Sequence, residues 1–163
     1  MSDSLQQDHF GTPSVQNSLL VFLFFLAGAL FHALGILPVP AFSSPRLFFL
    51  LLLASMLLFS TSSFGWLLLP LCLFLFGIVC ENSAIQWFQQ LPSKSALVFL
   101  PVSRDLILFS TFLVVGDCGF KTASHLQILL HRSSPSVRSA YDKNLFRLFV
   151  LSLICLALIL CFY

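Results

Sequence analysis

Residues 19–37 read LLVFLFFLAGALFHALGIL, and residues 47–80 read LFFLLLLASMLLFSTSSFGWLLLPLCLFLFGIVC. Across the whole of 9–80 only Arg46 carries a full charge. A chain that folds in water cannot leave so much Leu and Phe without charged relief, whereas a chain that faces lipid must. The first run is close to a bilayer in length: at ~1.5 Å per residue it covers about 28 Å, against a hydrocarbon core of ~30 Å. The second run would make a single helix of roughly 50 Å, too long even when strongly tilted. Its Ser60-Thr61-Ser62-Ser63 cluster, followed by Gly65, predicts a break into helices over 47–59 and 64–80. The shorter of these either borrows the cluster, whose hydroxyls can bond back to helix carbonyls, or is re-entrant. The longer one is expected to kink near Pro70.

Composition agrees with a lipid-facing chain. Of the 163 residues, 58% are hydrophobic and 9% charged, where soluble domains run near a quarter charged. Outside the apolar runs no stretch is long enough to build a water-soluble core. The net charge of +2 is too small to argue for nucleic acid. The fold expected is therefore all-α: a polytopic integral membrane bundle of about five transmembrane or partly re-entrant helices. A polar N-terminal tail over 1–18 precedes a single membrane domain over 19–163, with spans near 19–37, 47–59, 64–80, 96–115 and 145–163. Pro38 and Pro40 are expected to end the first span. Residues 1–18 contain no Lys or Arg, so the first run reads as a retained helix and not as a cleaved signal.

Residues 116–144 read as a long polar loop. Lys121, Arg132, Arg138 and Lys143 lie in it, with Arg147 just beyond, and the chain has eight basic residues in all. The positive-inside rule puts that loop in the cytoplasm of what would be a bacterial cell membrane. With five spans the N-terminus is then cytoplasmic; with one segment re-entrant its side flips. Within the loop, Ala123, Leu126, Leu129 and Leu130 form a short apolar stripe, read either as an amphipathic helix at the interface or as a docked loop helix. Trp66, Trp87, Tyr141 and Tyr163 fall near span ends, where aromatic rings prefer the interface.

Few residues offer chemistry. Arg104 and Asp105 follow Pro101 in the fourth apolar segment. Either they lie at membrane depth in a broken or re-entrant helix, where ionisable groups are costly and paired, or the segment only dips into the interface and they lie in water. Adjacent helical residues point about 100° apart, so the two do not simply face each other. His32, late in the first span, either hydrogen-bonds a neighbouring helix or is satisfied at the interface. Gly28, Ala29 and Ala33 form a small-residue face that lets helices approach closely, and Gly77 is a further packing position. His125 and His131 are spaced for different helix faces, so no metal site is expected. The five cysteines lack paired spacing and read as small buried hydrophobes. No metalloprotease, serine-hydrolase or phosphate-loop motif occurs, and no enzymatic activity or cofactor is expected.

The order of features resembles the stage II sporulation protein M family. The points of likeness are Leu26-Ala27-Gly28-Ala29-Leu30 in the first span, Leu69-Pro70-Leu71 followed by Phe76-Gly77-Ile78 in the third helix, Leu100-Pro101 with polar residues just after it, and a terminal helix behind a basic loop. They extend over most of the chain from Leu19 onward. Family members tend to show His-Gly and then an acid after the Leu-Pro step, where this chain has Val102-Ser103-Arg104-Asp105. The resemblance implies a non-enzymatic membrane protein that helps assemble a complex with peptidoglycan-degrading partners during engulfment. The residues themselves leave two readings open: a scaffold or assembly subunit with lipid and other membrane subunits as partners, or a small transport or channel component with Arg104 and Asp105 in a polar cavity.

Overall fold

The computed structural model describes residues 13–36, 44–90, 99–131 and 135–162, and among these every regular element is an α-helix. There are five: α1 (Pro13–Ala33), α2 (Pro45–Ser60), α3 (Gly65–Gln90), α4 (Phe99–His131) and α5 (Pro135–Phe162). The stretches Gly65–Gln89, Pro101–His131 and Pro135–Phe162 are long and apolar enough to cross a membrane, while Ser18–Ala33 and Pro45–Ser60 are shorter apolar helices.

Local chemistry sets the helix ends. Pro13 opens α1 and Pro45 opens α2, at positions where a missing N–H costs nothing. Ser44 caps α2, its hydroxyl accepting from the Leu47 N–H at 3.2 Å. The Ser/Thr cluster ends α2 by bonding back: Ser60 Oγ donates to the Met56 carbonyl at 2.5 Å, Thr61 Oγ1 to Leu58 at 3.1 Å and Ser62 Oγ to Phe59 at 3.1 Å. The Thr61 hydroxyl takes up the Leu58 carbonyl, which the last helical turn would otherwise leave open, and Phe59 O also accepts from the Thr61 and Ser62 N–H groups.

Several boundaries differ from the sequence reading. Pro13 to Ser18, assigned to a tail, are helical. α1 stops at Ala33, before the two prolines: Gly35, at φ 70°, takes the left-handed position of a Schellman ending, with Gly35 N–H donating to His32 and Ile36 N–H to Phe31. Leu37 and the two prolines lie outside the described residues. α3 runs on through Glu81 to Gln90, which read as a polar link, because Gln, Ala and Glu are good helix formers. α4 is unbroken at Pro101, which falls in its first turn where no intrahelical donor is needed. It continues through Gly116 to His131, and α5 begins at Pro135, so most of the supposed 116–144 loop is helix. The apolar stripe around Leu126 is the end of α4 and not a separate element.

Cross-helix contacts fix the arrangement. The start of α1 meets Asp117 of α4 through Ser18, the end of α2 meets Gly119 of α4 through Ser60, and Asn144 of α5 meets Cys118. At the opposite end His32 meets Glu81, Trp87 meets Asp105, and Arg104 meets Phe162. Successive helices therefore alternate in direction, with α1 and α3 parallel. α4 is the hub: 56% of its most apolar window is buried, against 22% for α5. α5 contributes a single buried stripe, Leu148, Ser152, Cys155 and Ile159, and turns Phe146, Phe149, Leu153 and Leu160 outward.

Two devices join α1–α4. The first is aromatic: Phe76 lies between Phe112 (ring centres 5.1 Å apart) and Phe109 (5.6 Å, edge-on), Phe49 adds a third contact to Phe112 at 5.6 Å, and Phe25 reaches Phe76 at 5.7 Å. The second is close backbone approach. A Cβ on Gly28 would collide with the Phe74 carbonyl, and one on Gly77 with the Phe25 carbonyl and Ala29 N. Both glycines are buried where α1 crosses α3. Ala33 is exposed: five residues on from Gly28 it has turned about 140° away from the contact face. Replacing Gly77 with Leu should push α1 off α3 and destabilise the bundle by ~1–3 kcal/mol or more, read as a lower melting temperature in mild detergent. Ile107→Ala on an exposed face should change stability by less than ~0.5 kcal/mol.

Candidate functional site

Three groups of polar side chains join the apolar helices, while hydroxyls such as those of Ser83, Ser110, Thr122 and Ser152 bond to carbonyls of their own helix. The α1–α3 crossing creates the first. Phe25, Gly28, Ala29 and His32 share one face of α1, and Phe74, Gly77, Ile78 and Glu81 share a face of α3 with the same i, i+3, i+4, i+7 spacing. The helices run parallel and touch at the two glycines, so the residues four further on, His32 and Glu81, come together. His32 Nδ1 pairs with Glu81 Oε2, and their side chains are 15% and 18% exposed. His32 thus hydrogen-bonds a neighbouring helix. Its partner is not legible in the sequence, because the apolar run of α3 ends at Cys80, one residue short of Glu81.

The second group is at the same end of the bundle. Asp105 is buried, at 5% exposure. Its Oδ2 accepts from Trp87 Nε1–H at 3.2 Å and its Oδ1 from Arg104 Nε at 2.9 Å. The neighbours do face each other after all, because the long Arg104 side chain folds back over the 100° step. Its Nη1 also donates to the Phe162 carbonyl at 3.4 Å, a cation at the negative end of α5. Trp87, expected as an interface ring, stacks on Phe109 with ring centres 5.8 Å apart and points its N–H at Asp105. This cluster ties α3, α4 and α5.

The third group, missed when 116–144 read as a loop, lies at the other end. Asp117 accepts from Ser18 Oγ at 2.7 Å and from Lys121 Nζ at 2.6 Å, which ties α1 to α4. Its signal was Asp117 followed by Lys121, the i, i+4 spacing of a helical ion pair. Among the described residues no buried side-chain nitrogen or oxygen lacks a hydrogen-bond partner.

The remaining candidates are engaged locally. His125 donates through Nδ1 to the Lys121 carbonyl at 2.6 Å and His131 to Gln127 at 2.9 Å. Among the described residues no group of three His, Cys, Asp or Glu side chains could hold a metal ion. All five thiols are free, four of them buried and Cys161 exposed. Comparison with protein-family models, with curated proteins and with solved structures returns no match, so the family resemblance rests on the residues quoted for it.

The geometry makes two demands on mutants. A double-mutant cycle of His32→Ala and Glu81→Gln, read by thermal melting, should return a coupling of ~0.5–2 kcal/mol. Asp105→Ala should cost more, ~2–4 kcal/mol, since it strands the Trp87 and Arg104 donors, while Trp87→Phe should cost about 1 kcal/mol.

Proposed function

We propose that this chain is an integral membrane protein of five spans that acts as a scaffold or assembly subunit without catalysis of its own. The observation that carries the reading is how the scarce polar side chains are used. His32 and Glu81, Asp105 with Trp87 and Arg104, and Asp117 with Ser18 each hold one helix to another. Groups committed to holding helices together support a rigid body whose work lies at its surface. That surface is rich in apolar side chains, among them Leu19, Phe22, Leu67, Phe149 and Leu153, as a lipid-facing bundle requires. The two shorter apolar helices cross at some cost in mismatch, met by local thinning of the bilayer.

The basic side chains Arg138, Lys143 and Arg147 belong to the first half of α5 and, with Lys121, lie toward the Asp117 end of the bundle. In this reading that end faces the cytoplasm of a bacterial cell and the end of α5 faces outward. Partners are the bilayer and other membrane subunits. A scaffold for peptidoglycan-degrading partners in engulfment, which the family resemblance implies, is one form of it. The transport reading has less support. Arg104 and Asp105 are engaged with Trp87 and the end of α5, and two clefts among the described residues, one between α2 and α5 and one between α1 and α3, have almost wholly apolar walls.

Two experiments test the proposal. In intact cells, in a chain whose native cysteines are replaced by alanine, Ser139→Cys should resist a membrane-impermeant thiol reagent and Arg46→Cys should react; the reverse pattern inverts the topology, and equal labelling with recovery in the soluble fraction defeats the membrane reading. Purified in mild detergent from its native membrane, the chain should bring other membrane proteins with it in fixed ratio. Recovery as a lone monomer would contradict a scaffold.

A further inference from the structure

The charged side chains of α5 are Arg138, Asp142, Lys143 and Arg147. The helical pitch divides them between two flanks. Asp142 lines the groove that α5 makes with α2, together with Leu145 and Phe149. Arg138, four residues before Asp142, belongs to that same flank. Lys143 and Arg147 are four residues apart on the other flank, and Val150 and Ile154 continue it at i+3 and i+7 from Arg147. These four side chains are all exposed. Among the described residues neither Lys143 nor Arg147 makes an ion pair or a hydrogen bond.

The depth of Arg147 follows from the turn between α2 and α3 over 61–64, where Thr61, Ser63 and Phe64 are exposed. Backbone outside a helix does not face lipid within the hydrocarbon layer, so this turn marks the edge of that layer. Thr61 and Asp142 line the same end of the α2–α5 groove, which puts Asp142 level with the edge. Arg147 lies five residues further in along α5, about 7.5 Å. Its neighbours Phe146 and Val150 are 69% and 38% exposed. A guanidinium on a lipid-facing flank at that depth is costly unless it reaches the interface and meets an anion there. The direction of reach is set by the helix: side chains tilt toward its N-terminus, which here is the Lys143 end.

We infer that Lys143 and Arg147 clamp the phosphate of an anionic phospholipid, of the phosphatidylglycerol class. An acyl chain lies along Val150 and Ile154, and the phosphate sits between the two cations one turn apart. The order along the helix is the order in the lipid: apolar chain innermost, phosphate next, headgroup outward. A zwitterionic lipid fits less well. Its ammonium lies outward of the phosphate and meets Lys143, and that flank of α5 has no carboxylate to receive it. Asp142 is turned about 100° from Lys143, into the groove with α2. The inference rests on the membrane reading above and is independent of the scaffold role.

The test is native mass spectrometry of the full chain released from bilayer discs containing equal amounts of phosphatidylglycerol and phosphatidylcholine with identical chains. Phosphatidylglycerol should be retained in about tenfold preference, as two cations near the headgroups allow. Arg147→Gln, at an exposed position, should cut that preference about fivefold. Arg147→Lys, which keeps the charge and most of the reach, should retain it. Arg138→Gln removes the same charge from the other flank of α5 and should leave the preference close to that of the parent. Equal retention of the two lipids by the parent overturns the inference. So does an equal loss in Arg138→Gln and Arg147→Gln, which is the mark of a diffuse field without a site. Failure of the chain to enter discs at all overturns the membrane reading beneath it.

Discussion

In the membrane setting proposed, a polar side chain on these helices has little water to fall back on, so it must be met by a carbonyl of its own helix, as Ser83 and Thr122 are, or by another helix. An unmet polar group in an apolar medium costs several kcal/mol, a large share of the stability of a small domain. Apolar contacts do little to choose one helix arrangement over another, because lipid tails are as apolar as Leu and burying one more Leu gains little. The few polar contacts therefore carry a disproportionate share of the specificity. His32 needs Glu81 and so fixes α1 on α3. Asp105 needs Trp87 and Arg104 and so fixes α3 and α5 on α4. Asp117 needs Ser18 and closes α1 on α4 from the other end.

Packing makes those meetings possible. Gly28 and Gly77 bring two backbones close enough for side chains one turn further on to touch, and Gly119 on α4 leaves room for the Ser60 side chain of α2. Between the polar groups the gaps are filled by Phe25, Phe49, Phe76, Phe109 and Phe112. These rings contribute by shape and dispersion more than by transfer from water. α4 gathers most of these contacts and is the most buried of the three longer helices, while α5 offers one stripe to the bundle and its remaining faces to the surroundings.

The sequence reveals apolar core segments better than helix ends. The break near Ser60 is legible because hydroxyls and glycine interrupt a run of Leu and Phe. The continuation of α3 past Cys80 is not, because Glu81 to Gln90 lose apolarity without losing helix propensity. Residues 116–131 mislead for another reason: Gly116, Asp117 and Gly119 look like loop residues, yet the glycines make room for Leu73 and Ser60 and the acid reaches Ser18. Arg104 and Asp105 stand out in the sequence as charges among apolar neighbours. Their partners Trp87 and Phe162 do not, since only the register of α3, α4 and α5 brings them together. The same holds for His32, which was visible, and Glu81, whose role depends on a crossing set by two glycines.

The contact between His32 and Glu81 is where this dependence can be measured most directly. In a chain whose five native cysteines are replaced by alanine, His32→Cys and Glu81→Cys should be joined by mild oxidation in native membranes into an intramolecular disulfide. A control pair, His32→Cys with Phe88→Cys, should not be joined. Efficient bridging of the first pair alone places α1 on α3 in the register set by Gly28 and Gly77. Bridging of neither pair, or of both alike, contradicts that register and with it the claim that polar partners fix the helices in place.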